Sequence, residues 1–141
     1  MTVILDTNVI VRHLTQEPPD QGQAASRFLA DAQALLLTDM IVAETVHVLQ
    51  SVYKAPRETI ATAVRALLSM RSVSMERAQV VLRSLDLYEV GHMDFTDAYL
   101  VAFAEANDIG QVASFDKGIG KSVSKASKVT RLDPLRWSGK P

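Results

Sequence analysis

What most constrains this chain is an alternation. Short β-prone runs, TVILD, ALLLTD, SVSM, QVAS and KVTRLDP, are separated by longer segments whose apolar residues return every three or four positions. Strands alternating with helices pair in parallel, because a tight hairpin has no place between them. The pattern predicts an α/β fold with a mainly parallel central sheet flanked by helices on both faces. Helices are expected over NVIVRHLTQ, started by Thr7 or Asn8 and stopped by Pro18 and Pro19, and over Asp20 to Asp31, where Ala25, Phe28, Leu29 and Ala32 recur. A third is expected over MIVAETVHVLQSVY, with Ile41, Thr45, Val48 and Val52 on one face. Further helices follow over Glu58 to Met70, over Glu76 to Leu87, and over MDFTDAYLVAFAEAND, closed by Gly110.

A length of 141 residues predicts one domain, 1–141, with a short C-terminal tail from about residue 134. Apolar residues make up 48% and the net charge is −1, so neither disorder nor a strongly basic nucleic-acid coat is indicated. There is no cysteine, which excludes disulfides, thiolate metal sites and a cysteine nucleophile, and which fits a reducing cytoplasm. The N-terminus lacks a basic n-region, and Asp6 and Arg12 interrupt its apolar stretch, against a secretory signal. No run approaches the roughly 20 apolar residues of a membrane span.

Chemistry is concentrated in the acids. Parallel sheets bind ligands beyond the carboxyl ends of their strands, and there Asp6 closes the first run while Asp116 follows QVAS. Glu44 is expected on the flank of the Ile41 stripe, and Asp97 shares a helical face with Leu100, Val101 and Ala104. Taken singly, Asp6 reads as a helix cap, Glu44 as a rim residue and Asp116 as a turn acid. Taken together, four acids drawn towards one place require positive charge, which a hard, oxygen-loving divalent cation supplies. Asp94 begins a D-x-x-D helix start and reads equally as a cap or as a fifth member.

VILDTNVIV, the Glu of IVAETVHVL, and DFTDAYLVAFAEANDIGQVASFDKG, in that order, resemble the PIN-domain nucleases, most closely the VapC-type toxins of toxin–antitoxin pairs. The resemblance covers nearly the whole chain. It implies a PIN-like domain and Mg²⁺- or Mn²⁺-dependent endoribonuclease activity through one or two ions held by Asp6, Glu44, Asp97 and Asp116. Thr7 and Asn8 match the polar residues beside the family's first Asp, and Ser114 stands where a Thr is common before the last. Partners implied are an RNA substrate, a cognate antitoxin and a second copy of the chain. Met40, Val46, Leu49 and Tyr53, read as a second apolar face, suit such a homodimer. Lys117 and Lys121, with Lys125, Lys128 and Arg131, are the cations placed to meet phosphates.

Other chemistries fit less well. FDKGIGKS ends like a P-loop, but Phe115 stands where that loop needs its first glycine. An aspartyl-phosphate phosphotransferase or phosphatase would use Asp6 but wants a second Asp where Asn8 stands. His13, His47 and His92 have no metal-ligand spacing, and no G-x-S-x-G supports a serine hydrolase. A non-catalytic PIN-like binding module is the remaining alternative, against which the complete acid set argues.

Overall fold

The computed structural model describes residues 1–119 and 126–139, and these fall into two compact units, Met1–Ala78 and Gln79–Pro141. The elements have the expected α/β order: the strands arise at the five β-prone runs and the helices between them.

In the first unit, β1 (Val3–Ile4), β2 (Leu35–Leu36) and β3 (Val73–Ser74) form a parallel sheet in that order, with Val3 opposite Leu35 and Leu35 opposite Val73. α1 (Thr7–Thr15) and α2 (Pro19–Asp31) connect the first pair, and α3 (Asp39–Ser51) and α4 (Arg57–Leu68) the second. Such crossovers cover one side of the sheet: Leu35, with Leu5 and Leu37 just beyond β1 and β2, is at most 1% exposed, whereas Ile4 of β1 is 64% exposed. Burying a leucine of this kind contributes about 2 kcal/mol. α1 and α2 approach closely at Gly22: a Cβ there would lie 2.6 Å from Gln16 Cα and 3.1 Å from the Arg12 carbonyl oxygen.

α3 turns differently from the expected stripe. Its buried residues are Val42, Thr45, Val46 and Leu49, whereas Val52 is 67% and Met40 78% exposed. The apolar residues of MIVAETVHVL nearly encircle the helix, so periodicity alone admits more than one face. Val46 and Leu49, read as part of a second, docking face, belong to the core instead.

In the second unit, α5 (Ala78–Glu89, whose first residue belongs to the first unit) and α6 (Phe95–Ala106) precede a parallel pair, β4 (Gln111–Ala113) and β5 (Thr130–Leu132), followed by a 3-10 turn at Pro134–Arg136. α6 is apolar through Phe95, Ala98, Val101, Ala102 and Ala104, all buried. Arg83 of α5 grips Glu105 of α6 through two bonds, 2.9 and 3.1 Å, and donates to the Ala126 carbonyl at 2.7 Å, while Ser127 Oγ donates to Glu105 at 2.8 Å. The guanidinium holds the Glu105 carboxyl below its ordinary range. Among the described residues, no helix is long and apolar enough to cross a membrane.

Candidate functional site

In the first unit the chain leaves β1 through buried Leu5 and reaches Asp6, an exposed residue that caps α1. Its carboxylate accepts the Thr7 backbone N–H at 2.9 Å, so the helix end supplies part of the hydrogen bonding that the sequence requires for an acid here. Thr7 is 4% exposed, and its hydroxyl donates to Glu44 Oε2 at 2.9 Å, tying the start of α1 to the middle of α3. Glu44 is therefore placed, although the Ile41 stripe that it flanks is not the buried face of α3. It stands about 200° round the helix from Val42, on the exposed side. Thr7, rather than burial in an apolar stripe, fixes its carboxylate. Asn8 is exposed on the first turn of α1.

In the second unit Asp97 and Asp116 meet. Asp97, at the third position of α6, is half-buried, and its carboxyl is hydrogen-bonded to that of Asp116. Desolvation, that bond, and the charges of Asp116 and Asp94 push its pKa up to about 6, so it keeps a proton to higher pH than an ordinary aspartate. Asp116 moves the opposite way: the Gly118 N–H, the Asp97 bond and the Arg131 charge lower its pKa. Below about pH 6 the proton of the pair is thus held by Asp97 rather than by Asp116.

The segment after β4 is built for that arrangement. Ser114 Oγ accepts the Asp116 N–H at 2.9 Å, and Asp116 Oδ1 accepts the Gly118 N–H at 2.8 Å. A Cβ on Gly118 would lie 3.0 Å from the same Oδ1, so a glycine lets backbone and carboxylate close up. Ser114, expected as a supporting hydroxyl, thus bonds to the backbone of the acid it supports. Arg131 Nη1 donates to the Ser114 carbonyl at 2.9 Å and pairs with Asp133 at 3.6 Å. It braces β4 against β5, a role with no signal in sequence. Asp94 occupies the N-cap position of α6, but its side chain makes no capping hydrogen bond; its charge bears on Asp97 instead.

Of the lysines, Lys117 and Lys128 are exposed, and Lys121 and Lys125 lie outside the described residues. His13 Nδ1 is 2.8 Å from Ser26 Oγ and His47 Nδ1 is 3.3 Å from Ser51 Oγ, local pairs without metal-site geometry.

Among the described residues, no group of three or more Asp, Glu or His side chains is placed to hold a metal ion. The Asp97–Asp116 pair nevertheless fits one chemically. It offers only carboxylate oxygens, and burial together with the neighbouring carboxylates disfavours the charge on Asp97, which a cation would offset. Mg²⁺ commonly binds through one or two carboxylates and keeps water in its other positions.

No curated protein matches the chain. Among solved structures it is similar to VapC20 of Mycobacterium tuberculosis, a sarcin-ricin loop cleaving toxin, at 16% identity and a TM-score of 0.41 over 86% of this chain and 95% of that one. The family model described as the PIN domain matches residues 3–122, from β1 past Asp116, and the chain therefore belongs to the PIN domain family.

Proposed function

We propose that this chain is a divalent-metal-dependent endoribonuclease, the toxin of a VapBC-type toxin–antitoxin pair. The observation that carries the reading is the Asp97–Asp116 pair, two carboxyl groups held against each other where a cation would satisfy both. Membership of the PIN domain family and the order of the acids along the chain support it. Asp6, Glu44, Asp97 and Asp116 are the residues that would hold Mg²⁺ or Mn²⁺. When bound, the cation supplies Lewis acidity, activating water for attack on a phosphodiester and neutralising charge on the leaving oxygen.

The chain's own residues set the stage for that chemistry. Thr7 aims Glu44, and Ser114 and Gly118 fix the turn from which Asp116 projects. Asp97 holds its carboxyl against that of Asp116, and Lys117 offers a cation next to Asp116 for the RNA backbone. No protein nucleophile is required. A cytoplasmic homodimer held in check by an antitoxin completes the reading.

The test is cleavage of end-labelled single-stranded RNA in Mn²⁺, in Mg²⁺ and in chelator, by the native chain and by Asp97→Asn and Asp116→Asn. Cleavage that needs metal and disappears in both variants is expected. Undiminished cleavage in chelator or in Asp97→Asn would overturn the reading, and a phosphorylated Asp6 would point to phosphotransfer instead.

A further inference from the structure

We infer that Phe115 is a stacking platform for one unpaired base of the RNA, set beside the carboxylate of Asp116; the inference rests on the nuclease reading above and names how the substrate is held. Phe115 is 67% exposed and lies between Ser114 and Asp116. Its backbone is fixed on both sides by bonds that do not involve its ring. Ser114 N–H donates to the Leu132 carbonyl at 3.1 Å, Arg131 donates to the Ser114 carbonyl at 2.9 Å, and the Asp116 N–H is held by Ser114 Oγ at 2.9 Å. The turn forms without the phenyl group, so the ring is dispensable to it.

Exposure alternates along β4 and into the bend that follows it: Gln111, Ala113 and Phe115 are exposed while Val112 and Ser114 are half-buried. Scattered exposed apolar residues are ordinary; an aromatic one adjoining a substrate-facing carboxylate is not explained by that rule. Its partner must present a flat face, since a phenyl ring offers no hydrogen-bonding group. The residues that follow favour a nucleotide over a protein: Asp116, Lys117 and Gly118 are all exposed, giving one ring beside one carboxylate and one cation rather than an apolar patch. That combination suits an unpaired base with its phosphate, since duplex stacking hides the faces of paired bases.

The test uses the full chain in Ca²⁺ and a single-stranded RNA decamer carrying 2-aminopurine, whose fluorescence is quenched on stacking. Phe115→Leu keeps the apolar bulk but loses the aromatic face, and Phe115→Trp keeps that face. The expected result is quenching by the native chain and Phe115→Trp, with affinity about tenfold weaker and quenching lost in Phe115→Leu, the loss of one stacked base. With Mn²⁺, KM should rise in Phe115→Leu and kcat should change little. Equal affinity and quenching in native chain and Phe115→Leu would overturn the platform, as would a Phe115→Leu chain whose loss of affinity accompanies a changed oligomeric state. A native chain that binds and quenches without cutting in Mn²⁺ or Mg²⁺ would overturn the nuclease reading and leave the platform standing. A native chain that binds no RNA would overturn both.

Discussion

Asp97 and Asp116 are the same residue type, and their surroundings drive them apart. In the folded chain Asp97 titrates near 6 against a usual value of 3.8, so between those values the fold holds a proton that the unfolded chain has released. Stability from this group is therefore intact below its unfolded value and is lost as pH rises through 6. Asp116, whose pKa is lowered, acts with the opposite sign: its contribution is present above the usual value and is lost on acidification. Asp97→Asn should separate the two, because an amide donates to Asp116 as the protonated acid does but carries no charge at any pH. Without metal, the variant should melt about 3 °C above the native chain at pH 7.5, a gain of roughly 1 kcal/mol after allowance for solvent screening, and match it near pH 4. An equal difference at both pH values would show that the proton is not shared. Thr7 is the second residue whose single bond matters. Thr7→Val preserves shape but removes the donor to Glu44, and should cost about 1 kcal/mol in melting experiments and about tenfold in kcat, with Thr7→Ser restoring most of both. Native kcat in Thr7→Val would mean that Glu44 needs no anchor.

The joint between α1 and α2 sets a limit that side-chain repacking cannot relieve. A methyl at Gly22 would meet Gln16 Cα and the Arg12 carbonyl, both backbone atoms, so Gly22→Ala should destabilise the chain by about 1–3 kcal/mol in denaturant melts despite better helix propensity. An unchanged midpoint would mean that the two helices separate at little cost. This restraint marks where the sequence stopped being informative. The strands were legible from Val, Ile and Leu runs between turn residues, and α2 from Ala25 and Leu29, although Phe28, grouped with them by spacing, is 40% exposed and Ala32 lies past the helix end. α3 was not, since its apolar residues nearly encircle it and the buried set turned out to be Val42, Thr45, Val46 and Leu49. Glu44 consequently lies on the exposed side, held by a threonine 37 positions earlier, which helical spacing cannot reveal. Asp97 and Asp116 were legible because acids beside apolar residues and at strand ends need an explanation. The Arg83–Glu105–Ser127 network was not, because charges 22 positions apart carry no mark of their pairing.

At the scale of the whole molecule, the family match runs through both compact units, and the acids divide between them, Asp6 and Glu44 in one and Asp97 and Asp116 in the other. Calorimetric titration of Mn²⁺ should show Asp6→Asn and Asp97→Asn each weakening binding by at least tenfold, which tests the acids of each unit separately. Binding should also release protons from Asp97 at pH values near 6, giving heats that depend on the ionisation enthalpy of the buffer in the native chain and not in Asp97→Asn. Saturating Mn²⁺ should raise the native melting temperature by several degrees, since about 100-fold excess over Kd adds roughly 2.7 kcal/mol to the folded state. Ca²⁺ should bind yet support little cleavage, its looser coordination placing water less strictly than Mg²⁺ does. Native Mn²⁺ affinity in Asp6→Asn, with affinity lost in Asp97→Asn, would assign Asp6 to capping α1 alone and leave the cation to the Asp97–Asp116 pair.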